Sequence, residues 1–454
     1  MTPIRRRAWL GALLLLSACS TATLPPAPPP IVFVHGNGDS AALWTTTLWR
    51  WESNGWPRER LFAVDLPNPT ARDDDTQAQF GRSSAAENAE ALAAEVNRVL
   101  AATGAPKVVL VANSRGGNAV RHYVERLGGA ARVDRAVLGG TPSHGVWADP
   151  AFRPNNEFNG AGPYLQALNA PKGPEGAEVT PGVAWMTLRS DNNDKFAQPE
   201  GTWIGAPGKP TNVTYEGPAL KGALNVVLPG RDHRETSFHA ESFAKTFEFV
   251  TGRAPATLAV KPEARPVLDG LVSGFSAGGP TNLPLAGATV EVFAVDPGTG
   301  ARRGAALYRK TVGEDGRWGP FTAANDAFYE FVLAASGYPT THVYRGPFPR
   351  GSRVVNLRPE RLLPADRGAK AVAVLSRPRG YFGLPRDRVQ FDGQSPAPGI
   401  PPGVAGVSTS RLGLQVGPGR PVVAEYASGA IRERIVGATW PAAGQHVSVI
   451  ELTD

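Results

Sequence analysis

Cysteine is almost missing from this 454-residue chain: Cys19 is the only one, so no internal disulfide is possible and stability rests on packing. Methionine occurs only twice, and charged residues reach 19%, against roughly 25% in an average domain. Lysine is scarce beside arginine, nine against 38, and no run of five like charges occurs. The net charge of +7 is therefore scattered and leaves no electrostatic footprint for nucleic acid. No heptad or collagen period is present, and the apolar stretch Ala8 to Leu16 is too short to span a bilayer. Glycine and proline are abundant, 52 and 43 residues, which favours turn-rich β structure over helical bundles. A hydrophobic content of 42% excludes wholesale disorder, and the length points to two or three domains.

The lone cysteine has an informative position. Arg5, Arg6 and Arg7 form a positive region, Ala8 to Leu16 an apolar one, and Leu16-Ser17-Ala18-Cys19 closes it. This segment resembles a bacterial lipoprotein signal. The resemblance implies a signal peptide over 1–18, Cys19 as the lipidated first residue of the mature chain, and an exported protein anchored in the bacterial cell envelope. The alternative is an ordinary cleaved signal with Cys19 incidental, giving a secreted or periplasmic protein. Arg6-Arg7-Ala8-Trp9-Leu10 also resembles a twin-arginine export signal. Residues 19–30, ending in Leu24-Pro25-Pro26-Ala27-Pro28-Pro29-Pro30, predict an extended tether.

From residue 31 the pattern is that of alternating strands and helices. Ile31 to Val34 is a continuous apolar run of the kind buried on both faces of a parallel sheet, ended by the turn His35-Gly36-Asn37-Gly38. A helical stretch over 41–51 and a strand over 61–64 follow. Ser84 with Glu87 three residues on predicts a capping box opening a helix that carries Ala89, Leu92, Val96 and Val99 on one face. Strands over 107–112, 135–138, 183–188 and 224–228, and helices over 116–127 and 241–250, complete an α/β domain spanning 31–254. Beyond it, short alternating runs such as Thr289-Val290-Glu291-Val292-Phe293 and turns such as Glu314-Asp315-Gly316 predict an all-β sandwich or barrel. Two subdomains are expected there, over 255–358 and 359–454.

One constellation carries chemistry. Ala112-Asn113-Ser114-Arg115-Gly116 lies between a buried strand and a helix, which is the context of the strained G-x-S-x-G turn that exposes a nucleophilic serine in α/β-hydrolases. Ala112 replaces the first glycine with the next smallest residue. Acyl transfer also needs two N–H groups for the developing oxyanion. Arg115 at the helix head and Asn37 in the His35-Gly36-Asn37-Gly38 turn are the candidates. In this fold the base follows the last strand, which selects His233 in Pro229-Gly230-Arg231-Asp232-His233 over His239. His35 reads as a structural residue of its loop; His122, His144, His342 and His446 lie in unremarkable positions. The acid should follow the strand over 183–188, where Asp191 and Asp194 compete. Asp194 is preferred because Phe196 two residues on provides an apolar anchor, with Asp191 as the alternative.

The layout resembles bacterial lipases and esterases of the minimal α/β-hydrolase type that carry a C-terminal β domain, with 31–252 matching well and the remainder only in architecture. It implies a serine ester hydrolase with Ser114 as nucleophile, His233 as base, Asn37 and Arg115 as oxyanion donors, and no metal or cofactor. One type of relative takes its acid just after the fourth strand; Gly139-Gly140 occupies that place here, which shifts the acid to the Asp191/Asp194 loop. The β region, with Asp315-Gly316-Arg317-Trp318, resembles transthyretin-like or immunoglobulin-like modules. Alternatives are a polyester depolymerase whose β region grips polymer, and a non-catalytic surface-binding lipoprotein. The segment over 145–181, rich in Gly, Pro and Asn, reads equally as a lid or acyl-pocket wall and as a plain surface loop.

Overall fold

The computed structural model describes residues 27–276 and 279–454. The expected signal peptide, Cys19 and most of the tether lie outside the described residues. The first half contains β1 (Ile31–Val34), α1 (Thr45–Ser53), β2 (Leu61–Val64), α2 (Ala85–Thr103), β3 (Val108–Asn113), α3 (Arg115–Arg126), β4 (Val133–Gly139), α4 (Pro163–Leu168), β5 (Ala184–Ser190), β6 (Leu224–Leu228), α5 (Glu235–Phe238) and α6 (Ala240–Thr251). All six strands are parallel, in the order β2-β1-β3-β4-β5-β6.

Side-chain alternation along each strand sorts the core onto two faces. Val32, Val34, Leu110 and Ala112 meet Leu92, Val96 and Val99 of α2 and Val120 and Val124 of α3. Ile31, Phe33, Val109 and Val111 meet Trp51 of α1 and Phe243 and Phe247 of α6. Ser84 accepts from the Glu87 N–H and Glu87 accepts from the Ser84 N–H, so the capping box opens α2 where the sequence predicts it. The short helices α4 and α5 carry too little apolar periodicity to be read from sequence, and they are stabilised by tertiary contact.

The second half is all β apart from single 3₁₀ turns. Its main sheet has seven strands in the order 308–311, 289–295, 328–334, 340–345, 446–451, 371–376 and 409–414. Strands from both sides of Pro359 thus share one sheet, and the boundary expected at 358/359 does not divide it. The reason is non-local: His446–Glu451 inserts between Thr340–Arg345 and Ala371–Ser376, parallel to both. One face of this sheet buries Trp318, Phe331 and Phe348. The other packs on a three-stranded sheet through Phe382, Phe391 and Tyr426. The two halves are keyed together by Trp49 of α1, whose side chain sits in the β core and donates to the Gly351 carbonyl at 2.9 Å.

Candidate active site

The turn between β3 and α3 holds Ser114 at φ 54°, ψ −125°. A non-glycine residue in such a region costs on the order of 1–3 kcal/mol and persists only when its surroundings enforce it. Here the Ser114 N–H donates to the Gly139 carbonyl at 2.8 Å, and the Ser114 carbonyl accepts from the Gly117 N–H at 2.9 Å. Close packing explains the glycines around the serine. A Cβ on Gly116 would lie 2.9 Å from the Val34 carbonyl oxygen and closer still to that of His35, and one on Gly117 would collide with Thr141. Ala112, fully buried, shows that the first glycine of the motif is dispensable in this turn.

His233 enters from the loop after β6. Its Nδ1–H donates to both oxygens of Asp194, at 2.9 and 2.8 Å, and the Phe196 ring stands nearly perpendicular to the imidazole with centroids 4.7 Å apart. Phe196, two residues after Asp194, thus forms a wall against the His233 imidazole. Asp194 is also held by the Phe196 N–H at 2.8 Å. Nε2 of His233 is buried and accepts no hydrogen bond among the described residues, Ser114 Oγ included. A serine–imidazole bond is often loose until substrate is in place. A side chain links the two loops: Asn113, immediately before Ser114, donates from Nδ2 to the His233 carbonyl and to Ser237 Oγ, at 3.3 and 2.8 Å.

Asp191 does not meet a histidine. Its Oδ1 accepts from the Gly230 N–H at 3.0 Å and from Ser190 Oγ at 3.2 Å, which shapes the turn leading to His233. The glycine pair after β4 has a physical cause as well: a Cβ on Gly140, at φ 55°, would lie 2.6 Å from the His233 carbonyl oxygen. The backbone of the histidine loop occupies the space that a carboxylate would need there.

The turn after β1 abuts the serine, since a Cβ on Gly36 would come within 2.9 Å of Ser114 Cβ. This places Asn37 one residue from the contact with Ser114, while Asn37 Oδ1 accepts from the Ala71 N–H at 2.7 Å and fixes the turn. The Arg115 N–H is at the first helical position, where no intrahelical acceptor exists. The Arg115 side chain does separate work. Its guanidinium forms a buried two-point pair with Glu157, both bonds at 2.7 Å, and donates to Ser83 and Pro69. The segment over 145–181 is therefore tied to the serine turn. Glu157→Ala would leave Arg115 buried and uncompensated, and is expected to cost about 3–5 kcal/mol in denaturant unfolding.

His122 packs its ring against Tyr164, and the remaining histidines have hydrogen-bond partners. His35 is buried, with Nδ1 donating to the Gly36 carbonyl and Nε2 accepting from the Leu66 N–H, and burial pushes its pKa down. His239 caps α6 by accepting from the Glu241 N–H. His144 pairs with Glu178, and His342 bonds Glu330 and His446.

Sequence reasoning misses Asn113 and also the charged group that brackets His233. Asp232 and Glu235 are buried and bound to Arg377 and Arg386. Burial pushes both carboxyls up; at Glu235 the two guanidiniums win and bring it down to about 2, whereas at Asp232 burial and the Glu235 charge win and its pKa is raised. These contacts join residues some 140 to 150 positions apart, and no local motif marks them.

A cavity of about 320 Å³ opens beside Asp194, bordered also by Gly140, Thr141, His144, Leu188 and Phe196. The long segment after β4 supplies part of its wall.

The parallel sheet, with Ser114 at the β3–α3 turn, defines the α/β-hydrolase fold, and the family model described as the alpha/beta hydrolase fold matches residues 29–169. A second family model, described as the lipase C-terminal domain, matches residues 267–362 in the β half. Among solved structures, lipase BlEst2 of Bacillus licheniformis in its mature form is 20% identical over 50% of this chain and 94% of its own, with a TM-score of 0.35. The propeptide form of that lipase is 16% identical over 91% of this chain and 93% of its own, at 0.36. Lipase B of Aspergillus fumigatus is 15% identical over 51% of this chain, at 0.33, and this chain spans only 54% of its length.

Proposed function

We propose that the protein is a serine hydrolase of carboxylic esters. The observation that carries this reading is the two-point bond from His233 to Asp194 beside a serine held at positive φ. Ser114 Oγ attacks the ester carbonyl and passes its proton to His233 Nε2. Asp194 keeps the imidazole proton on Nδ1, so that Nε2 is the basic nitrogen, and stabilises the imidazolium that forms. The N–H groups of Asn37 and Arg115 receive the oxyanion. His233 then protonates the departing alcohol, and water deacylates Ser114 by the same path in reverse.

The test is the pre-steady-state time course with p-nitrophenyl esters. A burst of about one p-nitrophenol per chain, followed by slower steady release, is the mark of an acyl-enzyme. A chain that turns over none of a panel of acyl lengths, or does so without any serine adduct, would overturn the reading.

We further propose that the enzyme is exported and tethered to the envelope through Cys19. The support is the Leu16-Ser17-Ala18-Cys19 sequence followed by a proline-rich spacer. Expressed in a bacterial host, the wild type is expected in the membrane fraction and Cys19→Ser in the soluble fraction or unprocessed; identical partitioning of the two would count against the anchor.

A further inference from the structure

We propose that the β half is a working part of the active site, with Arg377 and Lys195 as positioning residues that set the Asp194–His233 bond across the interface between the two halves. This rests on the ester-hydrolase reading above.

The histidine loop is gripped on both sides of His233. Arg377, with 0% of its surface exposed, donates from Nη1 to Asp232 Oδ2 at 3.0 Å and from Nη2 to Glu235 Oε1 at 2.7 Å. Nε and Nη1 also donate to the Asp454 and Tyr381 carbonyls. The Tyr381 N–H adds a bond to Asp232 Oδ2 at 2.8 Å, and Arg386 reaches both Glu235 Oε2, at 2.8 Å, and the Gly230 carbonyl, at 3.0 Å. Asp232 and Glu235 turn these charges inward: Asp232 Oδ1 accepts from the Arg234 and Glu235 N–H groups, and Glu235 Oε2 accepts from the Asp232 N–H. The backbone from 230 to 235 is thereby fixed by side chains that lie beyond residue 376.

The acid loop is gripped by the same stretch of the β half. Lys195, next to Asp194, donates from Nζ to the Gly406 carbonyl at 2.9 Å, and Nζ stands 3.9 Å from the ring centre of Tyr381 and 5.5 Å from that of Trp203. Asn193, on the other side of Asp194, accepts from the Ala405 N–H at 3.0 Å and donates to the Gly230 carbonyl at 3.0 Å, bridging the two loops. The backbone at Gly406 packs directly on Trp203, whose ring a Cβ there would overlap.

Stability alone does not account for the pattern. Buried ion pairs add little net stability and are better attested where they fix one arrangement among several. These pairs fall on the residues that flank the acid and the base. An error of about 1 Å in such a site can cost roughly 100-fold in rate.

The experiment compares full-length wild type with Arg377→Lys, Arg377→Met and Lys195→Met in p-nitrophenyl ester hydrolysis, with rates divided by the sites titrated in the burst, and with Tm measured for each. Arg377→Lys keeps a charge but cannot reach both carboxylates; Lys195→Met keeps the stem and loses the bond to Gly406. Expected is a fall in kcat per titrated site of about 10- to 100-fold for Arg377→Met, less for Arg377→Lys, and a smaller fall for Lys195→Met, with KM within about twofold throughout. Unchanged kcat per titrated site, with only Tm lowered, would overturn the inference. Should the Arg377 variants not fold, the Lys195→Met result decides alone. A wild type without ester turnover would remove the hydrolase reading and this inference together, whereas an active wild type with variants of equal kcat removes only the inference.

Discussion

Ser114→Ala is expected to lower ester turnover roughly 10⁴- to 10⁶-fold with little change in stability. On the proposed mechanism, the size follows from losing the nucleophile while the oxyanion donors and binding surfaces remain, which leaves only their residual acceleration over water. The structural side follows from the local bonds. Ser114 is tied to Gly139 and Gly117 through its own N–H and carbonyl, not through its hydroxyl, so truncation orphans no buried partner. Alanine also carries a Cβ, and the positive φ costs it no more than it costs serine. The check is p-nitrophenyl ester turnover together with Tm. A variant that folds and keeps more than about a tenth of wild-type kcat would remove Ser114 from the chemistry.

Asp194→Asn is expected to cost about 10⁴-fold in kcat, and Asp191→Asn less than about tenfold. Asparagine is isosteric with aspartate, so the loop bond from the Phe196 N–H to Oδ1 can persist and Phe196 stays against the imidazole. The amide, however, can offer its N–H₂ to His233 Nδ1, which moves the imidazole proton to Nε2 and leaves no base facing the serine. Asp191 has a different task. It accepts from the Gly230 N–H and from Ser190 Oγ, and an amide oxygen can still accept both. The two substitutions therefore separate a carboxylate bonded to the His233 imidazole from one that shapes a turn. Equal losses from both, or a larger loss at Asp191, would contradict the assignment.

Much of the first half is legible in the sequence because its signals are local. Ile31 to Val34 reads as a strand buried on both faces since all four residues are apolar. Ser84 with Glu87 marks a helix start by side chains that bond each other's backbone. The Ser114 turn is recognisable from small residues at close-packed positions. The choice between Asp191 and Asp194 is not legible in spacing, because the path of that loop is decided by Gly230 on one side and by Ala405 and Gly406 on the other. Arg377 is invisible for the same reason: nothing near residue 377 announces a contact with the neighbours of His233. In the β half, alternation reveals strands but not their partners. The parallel insertion of His446–Glu451 therefore unites strands on both sides of Pro359, a pairing that local alternation does not announce.

The central claim is that Ser114, with His233 and Asp194 behind it, is the nucleophile of an acyl-enzyme. Its most direct test is covalent labelling of the full-length protein with a fluorophosphonate, followed by mass spectrometry of the peptide that contains Asn113-Ser114-Arg115. Predicted are one label per chain, located on Ser114, much slower labelling in Asp194→Asn, and none at that peptide in Ser114→Ala. A wild-type chain left unlabelled, or labelled on any other residue, would contradict it.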